Sequence, residues 1–143
     1  MPEAPEPTVT SLSELLQDVR TDPLVTVPLP RAADARGRLA TGFPAFLRPT
    51  PASRIESSSV SPAGDRLQVA LVGSTSLAPG DVLMSYRTRL AGRGLSELGA
   101  PASVAGSEAA AFRRGRSVVT ISVTSRGSGT DYIIHASLHT GGE

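Results

Sequence analysis

His135, Ser137 and His139 alternate along one short segment, and they are the cluster whose residue types most invite a mechanism. Successive side chains of a strand point to opposite faces, so the three share one face, together with Asp131. Imidazole, hydroxyl and carboxylate are the parts of a nucleophilic hydrolase. The spacing argues against that use. Histidines four residues apart on an extended strand sit ~13 Å apart, too far to share a metal. One strand also cannot aim a base at its own nucleophile, because triad members converge from separate elements. The glycine-flanked elbow that exposes a catalytic serine is missing as well. The segment is expected to be a polar, solvent-facing strand surface, with no catalytic residue.

Other chemistries fall away on composition. The chain contains no cysteine, which excludes disulfide frameworks, thiolate metal sites and cysteine nucleophiles. Lysine is absent too, so no phosphate-binding loop of the Walker type exists. Gly127-Ser128-Gly129 lacks the third glycine of a dinucleotide fingerprint and reads as a hairpin turn. Glu56, Asp65, Asp81, Glu97, Glu108 and Asp131 are dispersed over turns and element ends, so no carboxylate pair suggests acid–base work. Neither a cofactor nor a metal is expected.

All fourteen basic residues are arginine, set against thirteen acidic ones, for a net charge of +1. That balance excludes a strongly basic nucleic-acid binder. Arg113, Arg114 and Arg116 gather at one turn and offer a possible contact for an anion, an anionic lipid head group or an acidic partner. Only Phe112 lies nearby to stack a base, so nucleic acid is not the expected ligand. Abundant Ala, Gly, Pro and Arg point to a GC-rich genome such as an actinobacterial one.

These residues need elements to position them. Nine of the twelve prolines lie at or before Pro51, which divides the chain into an arm over 1–41 and a domain over 42–143. In the arm, Ser11-Leu12-Ser13-Glu14 fits a capping box, and Leu12, Leu15, Leu16 and Val19 recur at helical spacing before Pro23. A helix near 11–20 is expected, and its apolar residues are candidate partner contacts. Ala32 to Ala40 could form a second short helix. Phe43 and Phe46, two of five aromatics, are expected to plug one end of the core.

Within the domain, strands are expected over 54–60 and 66–73, joined by the turn-forming run Ser61-Pro62-Ala63-Gly64-Asp65. A helix follows from Pro79 towards Gly94, with Val82, Leu83, Tyr86 and Leu90 on one face. A loop over 96–106 leads to three more strands, 107–112, 117–124 and 130–139. Val119, Ile121, Val123, Ile134, Ala136 and Leu138 are their expected inward residues. The expected fold class is α+β: a five-stranded antiparallel sheet in the order β-β-α-β-β-β, with one main helix on one face and a short N-terminal helix.

Phe46-Leu47-Arg48-Pro49 leading into a hairpin, then Tyr86-Arg87-Thr88-Arg89-Leu90-Ala91-Gly92-Arg93-Gly94, resembles small actinobacterial cell-envelope domains of unknown function. A weaker similarity is to periplasmic domains of pilus and type II secretion assembly proteins. The first resemblance spans about residues 43–139 and implies a binding or structural role outside the cytoplasm. The reading is therefore a non-catalytic interaction or scaffold domain that pairs with a protein partner or with itself. A small-ligand or lipid-binding module using the groove between helix and sheet, and an assembly-platform component, are the alternatives. No stretch approaches the ~20 apolar residues of a spanning helix.

Overall fold

The computed structural model describes residues 23–99 and 106–140. Seven strands form one antiparallel sheet: β1 (Ala33–Arg36), β2 (Ser53–Ala63), β3 (Arg66–Thr75), β4 (Ser96–Glu97), β5 (Ser107–Arg114), β6 (Ser117–Arg126) and β7 (Gly129–His139). Their spatial order is β1-β2-β3-β7-β6-β5-β4. A single helix, α1 (Pro79–Ala91), connects β3 to β4 and covers one face, and a 3-10 helix (Ala45–Leu47) packs at its end.

This corrects the expected five-stranded sheet with a main helix and a short N-terminal helix. The sheet has seven strands, and α1 is the only α-helix among the described residues. The helix expected near 11–20 lies outside those residues. The extra strands come from segments whose local signals misled. Alanine and arginine around β1 favour helix, yet β2 offers an open edge, and pairing Ala33 to Val60 through Arg36 to Ser57 outweighs propensity. Strand β4 is two residues pinned to β5, with the Leu98 amide donating to the Ala111 carbonyl. Residues 24–40, counted with the arm from sequence, contribute β1 and the buried Leu24 and Ala40.

The long strands follow their hydrophobic alternation. In β3, Leu67, Val69 and Leu71 are buried; in β7, Tyr132, Ile134 and Leu138; in β6, Val119, Ile121 and Val123. All lie on the face that α1 covers. Val82, Leu83, Tyr86 and Leu90 of α1 are buried against them, as the helical spacing requires. The helix stops in a Schellman arrangement: the Leu95 amide reaches the Leu90 carbonyl and the Gly94 amide the Ala91 carbonyl. Gly94 takes the left-handed conformation this needs (φ +82°).

A β-bulge at Glu56 resets the phase of β2. Ile55 pairs with Gly73 and Ser57 with Val72, so one residue is unmatched. Ile55 and Val60 therefore both face the core although their parity differs. The buried Ser58 hydroxyl donates to the Arg38 carbonyl (2.8 Å) and accepts from the Ala40 amide (2.7 Å), tying the segment after β1 to the sheet. Phe46 is buried at the end of α1. There the Tyr86 hydroxyl donates to the Arg48 carbonyl (2.7 Å), and Arg89 donates to the same carbonyl (2.7 Å) while lying 4.8 Å over the Tyr86 ring. Burial holds the Tyr86 phenol far above its ordinary pKa, so it serves as a neutral donor.

Candidate functional site

One helix covers one face of the sheet, so the outward side chains of the central strands form a continuous second face. Register arranges this face in cross-strand rows. Ser57, Val72, Ile133, Ser122 and Ala109 form one row; Ser59, Ala70, His135, Thr120 and Ala111 form the next. Ser61, Gln68, Ser137 and Val118 make a third, which ends on Arg113. Across the interior of these rows there is no carboxylate, no guanidinium and no large aromatic ring. Charge appears at the borders: Asp34 and Arg36 on β1, Arg54 and Asp131 beyond one end, Arg66 beyond the other.

Small side chains leave this surface concave. A hollow of about 450 Å³ lies over Gln68, Ala70, Val118, Thr120, His135 and Ser137. A neighbouring hollow of about 550 Å³ runs towards Asp34, Arg36 and Arg38, and the two share Ser59 and Ala70. Ile133 is the one large apolar side chain exposed on the face, at 39%. The helix–sheet junction is closed by contrast. Val82, Tyr86, Leu90, Val119, Ile121 and Ile134 are fully buried there and fill the space between the layers.

The residues singled out for chemistry are now placed. His135 is exposed at the centre of the open face, with Ser137 beside it ~7 Å along the strand. Asp131 does not orient His135; its carboxylate pairs with Arg126 at 3.1 Å. His139 sits at the sheet end, Nδ1 3.7 Å from Asp65 Oδ1. That distance allows Coulomb attraction when the imidazole is protonated but is too long for a hydrogen bond. Asp65 also takes Arg116 at 3.2 Å, so the cluster reads as a tie between the β2–β3 and β5–β6 turns. Among the described residues no group of three or more metal-ligating side chains occurs.

Arg113, Arg114 and Arg116 do not act as one basic tip. Arg114 is half-buried and donates to the Arg93 carbonyl (3.0 Å), Arg116 pairs with Asp65, and Arg113 lies at the border of the open face. Leu12, Leu15, Leu16 and Val19 lie outside the described residues.

Sequence reasoning missed the open face as a unit, above all Ala70, Val72, Ala109, Ala111, Thr120 and Ser122. The signal was available. Outward positions of solvated strands in a chain with 19% charged residues should carry Arg, Glu or Asp, and these positions carry none. Among the described residues no helix is long and apolar enough to cross a membrane. Comparison with protein families, with curated proteins and with solved structures finds no match to this chain.

Proposed function

We propose that this chain is a non-catalytic interaction domain whose recognition surface is the uncovered face of the sheet. One observation carries the reading: the interior of that face is free of charged side chains while its borders are charged. Protein interfaces show the same distribution, a core depleted of charge inside a polar rim. A face meant only for water has no reason to exclude arginine in a chain this rich in it. An extracytoplasmic setting belongs to the proposal and rests on the resemblance of residues 43–139 to envelope domains. A lipid held between helix and sheet finds less support, because the side chains at that junction are fully buried.

A photoreactive benzoylphenylalanine at position 133, on the open face, and at position 88, on the outer face of α1, tests this in cells. Discrete protein adducts from position 133 that vanish when Ala111→Arg is added, with none from position 88, are expected. Equal yields from both positions would show that the open face is not selected.

A further inference from the structure

Resting on that reading, we infer that the partner on the open face is a second copy of this chain, packed face to face about a twofold axis. The axis crosses β7 at His135 and runs across the strands.

Shape favours this axis. An isologous contact places each residue over the position equally far on the other side of the axis. Ile133 and Ser137 lie two residues either side of His135 on β7. The twofold therefore sets the exposed Ile133 of one copy over Ser137 of the other. Ser137 lines the 450 Å³ hollow together with Gln68 and Val118. The one prominent apolar side chain of the face thus meets the 450 Å³ hollow of the same face in its mate, twice.

Charge agrees with this placement. Asp131 and His139 are each four residues from His135. The same operation lays Asp131 over the His139 end of the second copy, where Arg66 is the cross-strand neighbour of His139 and the Asp65–Arg116 pair lies beside it, a net positive border. The small, neutral rows of the five central strands bring no like charges together; Asp34, in the His135 row on edge strand β1, faces its own copy only at the exposed rim. An axis along the strands would instead stack Asp131 near itself.

Area is sufficient. Five strands spaced ~4.8 Å, over the ~27 Å from Asp131 to His139, present on the order of 650 Å² per copy. Stable interfaces bury ~800 Å² of accessible surface per partner, and a pleated face exposes more than its projection. Edge-to-edge pairing, the alternative, has only a short template at β1, which has four residues.

Sedimentation velocity of the full chain over a concentration series, with three variants, tests the inference. The chain has no cysteine of its own, so single cysteines report cleanly. The wild type should sediment at twice the 14.7 kDa chain mass and dissociate on dilution. Ile133→Arg should weaken association at least ~30-fold while keeping the wild-type circular dichroism and, at concentrations where both chains are monomeric, the wild-type denaturation midpoint. His135→Cys, near the axis, should oxidise to a covalent dimer, and Thr88→Cys should not. A monomer at every concentration overturns the second copy as partner. Should position 133 still give adducts to a different protein, the interaction reading stands alone. A dimer that survives Ile133→Arg and links through Thr88→Cys but not His135→Cys overturns both.

Discussion

The two faces of this sheet are built from the same strands and differ in almost every side chain. On the covered face one row reads Val60, Val69, Ala136, Val119 and Phe112, and another reads Ser58, Leu71, Ile134, Ile121 and Ala110. Seven of the ten are branched or aromatic, and all are buried. One residue along each strand, the open face carries mostly serine, alanine and threonine, with Val72, Val118, Gln68 and His135 among them and a single large apolar side chain exposed, Ile133. Burial of the first face supplies the apolar free energy that holds the fold. The second face contributes little to the monomer, yet it is not composed like a surface made only for solvent. On the proposed reading, stability and recognition are divided by the pleat, residue by residue.

The division is sharpest on β7. Ile134→Ala should cost ~2–5 kcal/mol by emptying a fully buried site, read as a shift in the urea midpoint. Its neighbour Ile133→Ala, measured at concentrations where the chain is monomeric, should cost under ~1 kcal/mol. Equal losses would erase the distinction. Gly129→Ala comes next. A Cβ there would collide with the Thr75 carbonyl oxygen across the strand pair, and the forced backbone shift should cost ~1–3 kcal/mol. Tyr132→Phe removes the 2.7 Å hydrogen bond to Ser53 from the covered face and should cost ~1 kcal/mol. Ser53 keeps Thr50 at 2.9 Å, so no buried group is orphaned.

The smallest effect lies off both faces. Arg87 forks onto Glu97 at 2.6 and 3.0 Å and holds its carboxyl below the usual carboxylate range. A group whose folded pKa is depressed stabilises above its unfolded value, about 4.3 for glutamate, and loses that contribution as pH falls through the folded value. Arg87→Ala should therefore lower the melting temperature slightly at pH 7 and not at pH 2–3. The pair is well exposed, so the difference should stay below ~1 kcal/mol.

Much of the covered face was legible because it depends on period alone. Leu67, Val69 and Leu71, or Ile134 and Leu138, alternate cleanly, and Val82, Leu83, Tyr86 and Leu90 recur at helical spacing. What escaped were elements that exist through a neighbour. Strand β1 has helical composition and becomes a strand only because β2 leaves an edge to pair with. Strand β4 is too short to show any period. The bulge at Glu56 breaks alternation in β2, so the placement of Ser58 with the core could not follow from parity. The candidate site escaped for another reason. His135 and Ser137 invite a reading by the chemistry they could perform, whereas on the proposed reading their meaning comes from what surrounds them across four other strands. Sheet order supplies those neighbours, and order is not written in any one strand.

The central claim is that alternate residues of β7 serve different ends. Single arginines at 133, 134, 135 and 136, each scored for urea midpoint and for sedimentation, test it most directly. With midpoints measured at concentrations where the chain is monomeric, the two-face division predicts a period of two: Ile134→Arg and Ala136→Arg lose the fold, whereas Ile133→Arg and His135→Arg keep the midpoint and, at higher concentration, lose association. Loss of stability at all four positions, or association retained by Ile133→Arg and His135→Arg, would contradict it.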